Sequence, residues 1–137
     1  MLRVVRAENP DQVLHMGDHD SDCDEIRRAF PTLPVRAVRG NCDLYSHEDT
    51  EALLVFQGRK ILITHGQRYQ VKMGTELLLA AAESAGADLV IFGHTHIPIC
   101  TAESGILMIN PGSVRFSRTY GVLTLSGGKI NYAGKSV

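Results

Sequence analysis

Cysteine is scarce in this chain and poorly placed for structural work. Cys23, Cys42 and Cys100 are odd in number and never form a C-x-x-C pair. That excludes a disulfide framework and a structural zinc knuckle. Long apolar runs are missing too: none approaches the roughly 20 residues of a membrane helix. The first residues carry no signal-peptide core. No Lys/Arg run appears, and 14 basic residues are offset by 15 acidic ones for a net charge of -1. An extended nucleic-acid track is therefore not expected. These absences predict a cytoplasmic protein with no membrane contact, and they leave a homo-oligomer open. What remains is 137 residues, 44% of them hydrophobic. That is enough for one domain, 1–137, with a real core.

Short apolar runs alternate with helical patterns, which predicts a parallel or mixed sheet covered by helices. Strands are expected near 12–16, 35–39, 52–57, 60–64, 89–93, 106–109, 121–126 and 129–133. Ser21 to Phe30 opens with Ser and Asp and stops before Pro31, as a short helix does. Leu77, Leu78, Ala81, Ala82 and Ala85 recur at helical spacing, predicting a helix over about 72–85 with Gly86 at its end. Gly127-Gly128 between two alternating segments predicts a terminal hairpin.

Four of the strand-like runs end in the same way. Val13-Leu14-His15-Met16 leads into Gly17-Asp18, and Val35 to Arg39 into Gly40-Asn41-Cys42-Asp43. Ile61 to Thr64 leads into His65-Gly66, and Leu89 to Phe92 into Gly93-His94-Thr95-His96. In open α/β sheets ligands gather beyond the carboxyl ends of strands. Glycines there are expected to take backbone angles closed to other residues and so turn the chain sharply. Asp18, Asn41, His65 and His94 can then surround one divalent ion. His96 points from the same corner toward a second, with Asp18 bridging. A mixed N/O donor set suits manganese, iron, nickel, zinc or cobalt better than calcium. Two ions roughly 3.5–4 Å apart clamp a phosphoryl group during in-line displacement.

In this order and spacing, Gly17-Asp18, Gly40-Asn41-Cys42-Asp43, Thr64-His65-Gly66 and Gly93-His94-Thr95-His96 resemble the calcineurin-like metallophosphoesterases. Asn110-Pro111-Gly112-Ser113-Val114 is similar to the small bacterial and archaeal phosphodiesterase branch. The resemblance implies an α/β fold, a two-sheet β-sandwich flanked by helices in four layers, with a dinuclear and often manganese-loaded site. Carried over residue by residue, Asp18 bridges, Asn41, His65 and His94 complete one metal, and His96 belongs to the other. Asn41 and His94 would be the catalytic residues. The implied activity is hydrolysis of small phosphodiesters by in-line attack of a metal-held hydroxide. The rival implied reading is a non-catalytic interaction scaffold of the same fold with an incomplete metal site.

The pattern departs from the family at two places. Relatives open with a strand ending in Asp-x-His, which supplies ligands to the first metal. Here Met1 to Arg6 instead resembles the tail of the helix that follows that strand. The expectation is an N-terminally truncated domain lacking the first strand and most of the first helix. Second, Cys42 stands where many relatives have a histidine that assists the leaving group. A thiol with a reference pKa near 8.5 is a poor proton donor, so Cys42 is read as a packing residue. Asp43 is expected to orient a ligand by hydrogen bonding. Arg115 and Arg118 are read either as phosphate-binding forks or as surface charge. His15 is expected to pack, and His47 to face solvent.

Overall fold

The computed structural model describes residues 1–137 and contains three helices and nine strands. In chain order they are α1 (Leu2–Glu8), β1 (Val13–His15), α2 (Ser21–Ala29), β2 (Val35–Ala37), β3 (Glu51–Phe56) and β4 (Arg59–Thr64). A 3-10 turn at Gln67–Tyr69 leads to α3 (Glu76–Ser84), β5 (Leu89–Phe92) and β6 (Ile99–Glu103). β7 (Ile106–Asn110), β8 (Thr119–Ser126) and β9 (Lys129–Ser136) close the chain. No helix is long and apolar enough to cross a membrane.

The body is a five-stranded mixed sheet in the order β3-β4-β5-β7-β6, with β4, β5 and β7 parallel. Its central strand β5 is apolar and buried at every position because both faces are covered. On one face Leu62, Val90, Phe92, Ile106 and Met108 meet Leu78 and Ala82 of α3. The opposite face, with Ile61, Ile63, Leu89, Ile91 and Ile109, packs against Met16 and Val38. Leu123, Leu125, Ile130 and Tyr132 of the terminal hairpin also pack there. The parallel pair β1-β2 and the antiparallel pair β8-β9 thus form a third layer, and α2 packs on β2 with α1 beside it. This is the expected α/β layering.

Three expectations are corrected. The third layer is not a continuous sheet, because no ladder joins β1-β2 to β8-β9. The pairs are held instead by apolar packing and by a bridge from α1: Glu8 accepts from Tyr120 Oη at 2.6 Å and from Lys135 Nζ at 2.9 Å. β6 was not expected, since Ile99-Cys100-Thr101-Ala102-Glu103 shows no apolar alternation. It is a mostly exposed edge strand, which has little core to signal. The helix expected over 72–85 begins only at Glu76, because Gly74 at φ +147° breaks the helical path. Within it Leu77 faces solvent while Leu78 and Ala82, one turn apart, are buried.

The ends of β1 and β2 approach so closely that side chains are excluded between them. A Cβ on Gly17, whose φ is +92°, would lie 2.7 Å from Gly40 N and 2.8 Å from His65 Nδ1. One on Gly40 would fall within 2.2 Å of Asp18 Oδ1. Gly40→Ala is expected to lower unfolding stability by about 1–3 kcal/mol through overpacking. Urea denaturation reads this directly, and an unchanged midpoint would mean that the two loops can part freely.

Candidate metal centre

Each donor group reaches the site from a strand end. β1 runs into Gly17-Asp18, β2 into the segment before Gly40-Asn41, β4 into His65 and β5 into Gly93-His94. The turns are sharp, and the chain accepts left-handed backbone at non-glycine residues to make them. Asp18 (φ 61°), His19 (φ 62°), His94 (φ 67°) and His96 (φ 59°) all have positive φ. Such angles are unfavourable for residues with a Cβ and concentrate at functional sites. Gly17 and Gly66 have positive φ as expected, but Gly40 and Gly93 do not. At those two positions glycine answers to lack of space: a Cβ on Gly93 would sit 3.2 Å from Met16.

His65 is the centre of the arrangement. It is 4% exposed, and its Nδ1 lies 2.6 Å from the Met16 carbonyl oxygen. A carbonyl can only accept, so Nδ1 carries a proton and Nε2 is the nitrogen turned toward the other side chains. That Nε2 faces Asn41 Oδ1 at 2.9 Å, His94 Nδ1 at 3.0 Å and Asp18 Oδ2 at 3.5 Å. Ligand-type atoms thus gather around His65 Nε2. Donor atoms about 2.0–2.2 Å from a shared ion stand about 3 Å from one another, and the three distances are of that order. The Asp18, His65 and His94 side chains by themselves are not arranged to hold a metal ion. Asn41's amide oxygen stands beside them as a fourth ligand-type atom.

Protonation states favour ligation. Burial, reinforced by His65 and Lys72, holds the His94 imidazole below its usual range and hence neutral near pH 7. For Asp18, burial acts to raise the carboxyl. The Cys42 N–H bond at 2.9 Å and the nearby His65 outweigh it, and the net shift is downward. The Cys42 thiol is pushed up, chiefly by the Asp18 carboxylate, so it stays protonated. Buried Cys23 is pushed up to about 12 and is inert.

Asp43 organises the loops from behind. Its Oδ2 accepts from Asp18 N–H at 2.7 Å and Gly40 N–H at 2.9 Å, and its Oδ1 from Asp20 N–H at 3.2 Å. It was expected to hydrogen-bond a ligand, and the bond runs to the backbone N–H of Asp18. The Asn110 side chain plays the corresponding part on the other side. Fully buried, it donates to Gly93 O (2.9 Å) and Thr95 Oγ1 (3.0 Å) and accepts from Gly112 N–H (2.9 Å). Position in the Asn-Pro-Gly-Ser motif was the only sequence signal for this role.

Of the five expected ligands, four converge and His96 does not. Its ring stacks on Phe116, with centroids 4.4 Å apart and planes 7° from parallel. Arg115 reaches His19, the neighbour of Asp18, donating from Nη1 to its Nε2 at 3.3 Å. The Arg118 side chain makes no hydrogen bond or ion pair, and only its carbonyl is engaged, by Val137 N–H. His15 accepts weakly from Gly17 N–H at 3.3 Å, in keeping with a packing role. Lys72, not singled out in the sequence, stands close enough to His94 and Cys42 to influence both electrostatically.

Comparison with known proteins identifies the family. Residues 1–128 match the calcineurin-like phosphoesterase superfamily domain. The probable metallophosphoesterase YsnB of Bacillus subtilis is 40% identical over 121 residues, 84% of this chain and 69% of that one. The phosphodiesterase YfcE of Escherichia coli is 32% identical over 105 residues, 65% of this chain and 52% of its own length. Among solved structures, Vps29 from Entamoeba histolytica complexed with zinc superposes with a TM-score of 0.78 at 20% identity, covering 98% of this chain and 87% of that one. At that identity the likeness speaks for the fold alone. The chain belongs to the calcineurin-like phosphoesterase superfamily.

Proposed function

We propose that this chain is a metal-dependent phosphodiesterase acting on small phosphodiesters. The observation that carries the reading is the approach of Asn41 Oδ1, His94 Nδ1 and Asp18 Oδ2 to His65 Nε2 at 2.9, 3.0 and 3.5 Å. Manganese is the proposed ion, held by those four side chains. Bound there, a divalent ion supplies Lewis-acid polarisation of a phosphoryl oxygen and a water of lowered pKa.

The chain's own residues do the rest. Asn41 turns its amide oxygen inward, which leaves its Nδ2 able to donate to a phosphate oxygen. His65, locked by Met16, keeps its lone pair aimed at the centre. Arg115, anchored on His19, offers a guanidinium fork to the non-bridging oxygens. Cys42 stays outside the proton transfers. The relative named as a phosphodiesterase and the motif after β7 support a diester rather than a monoester substrate.

Hydrolysis of bis(4-nitrophenyl) phosphate in manganese buffer, with metal counted per chain, tests the proposal. Wild type is expected to bind metal and turn over, and His65→Ala to lose both. Metal-free wild type with no turnover would overturn the proposal and favour the scaffold reading. Asp43→Asn replaces one accepting oxygen with a donor facing N–H groups. It is expected to weaken manganese binding roughly 10–100-fold while the chain stays folded. Calorimetric titration checks this, and unchanged affinity would remove Asp43 from the positioning role. Cys42→Ser is expected to keep most of the wild-type turnover, and a collapse with metal content intact would make the thiol a participant.

A further inference from the structure

A cavity of about 280 Å³ adjoins the candidate metal centre, and Asn41 and His65 belong to both. Its other walls include Arg39, two residues past β2, Leu44 on the loop that follows, and Arg68 in the 3-10 turn after β4. Leu44 is the one apolar residue among the eleven that line it. Sites for whole drug-sized ligands are mostly apolar and fill roughly 300–1,000 Å³. This cavity is polar and smaller, which suits a compact polar group rather than a base or an acyl chain.

The sign of that group follows from the charged residues in the lining. Arginine is a permanent cation, and two of them stand here. Asp43 is the only carboxylate in the lining, and it is already spent on the N–H groups of Asp18, Asp20 and Gly40. The backbone of Arg39 is anchored, its N–H donating to Asp49 O at 2.8 Å, while its side chain forms no hydrogen bond or ion pair. Arg68 has one ion pair, with Glu51 Oε1 at 3.7 Å, and its side chain is 70% exposed. A pair so loose and exposed holds a guanidinium weakly, and Glu51 is shared with Tyr69 Oη. Two arginines with unused donors therefore line a polar cavity in which no free carboxylate answers them. Guanidinium forks match the oxygens of a phosphate.

We infer that this cavity is a subsite for a second phosphate of the substrate, bound by Arg39 and Arg68 while the scissile phosphodiester lies at the metal centre. The inference rests on the phosphodiesterase reading of that centre and narrows its substrates to diesters that carry a further phosphate. Because Asn41 and His65 wall both places, the two phosphates occupy adjoining sites. Arg39 and Arg68 bind and select, and they take no part in the bond that breaks.

Two measurements test this. In the first, the metal-free chain is titrated with inorganic phosphate while its arginine Nε–H resonances are followed. Wild type is expected to show saturable shifts at Arg39 and Arg68 with a Kd of about 1 mM. Arg39→Gln is expected to weaken binding roughly tenfold or more, and Arg39→Lys less, because it keeps the charge without the fork. Arg3→Gln, which removes one charge from α1, is expected to leave binding unchanged. In the second, kcat/KM in manganese buffer is compared for thymidine 5′-(4-nitrophenyl phosphate) and its 3′-phosphorylated counterpart. Both release 4-nitrophenol from the same diester, so their ratio isolates the second phosphate. Wild type is expected to favour the phosphorylated ester about tenfold through KM, and Arg39→Gln to bring the ratio near one with an unchanged melting temperature. No saturable shift at Arg39, phosphate binding that survives Arg39→Gln, or a ratio near one in wild type would overturn the inference. Its failure is separable from that of the phosphodiesterase reading. Equal turnover of the two esters sinks only the subsite, whereas Arg39-dependent phosphate binding without turnover of either ester sinks only the hydrolase.

Discussion

The Asp43 carboxylate is the constraint on which the site depends. Two of its three N–H donors, Asp18 and Asp20, belong to the loop after β1, and the third, Gly40, to the segment after β2. An acceptor of this kind cannot be replaced by water without opening the contact, because Asp43 is only 6% exposed. Once these bonds are made, Asp18 is held in its left-handed conformation with Oδ1 on the Cys42 N–H and Oδ2 toward His65. One buried charge thereby fixes the position of another, through backbone rather than side chain.

The centre that results gathers ligand-type atoms in a small space. His65 Nδ1 is spent on Met16, and an amide oxygen, an imidazole nitrogen and a carboxylate stand 2.9, 3.0 and 3.5 Å from Nε2. The left-handed angles at Asp18, His19, His94 and His96 add conformational strain around them.

Much of this was legible in the sequence, for identifiable reasons. Strands β1, β2, β4 and β5 announce themselves because burial demands apolar runs, and a glycine beside a ligand-type residue marks where each ends. Spacing said nothing of why Gly40 and Gly93 are glycines, since space, unlike torsion, depends on a neighbour distant in the chain. The same holds for Asn110 and Asp43, whose partners are backbone groups that any sequence supplies. β6 went unseen because an exposed edge imposes no hydrophobic period. His96 looked like a ligand from its position in Gly-His-Thr-His, but its orientation is set by Phe116, 20 residues onward.

The break in the third layer bears on how the centre can adjust. Asp18 and Asn41 follow β1 and β2, while His65 and His94 are carried by the five-stranded sheet. The donor set therefore straddles the packing interface between the strand pair and the sheet, crossed at the site by the bond from His65 to Met16 and by the close approach of Gly17 to His65. A shift of the strand pair on the sheet would carry Asp18 and Asn41 together and leave His65 and His94 in place.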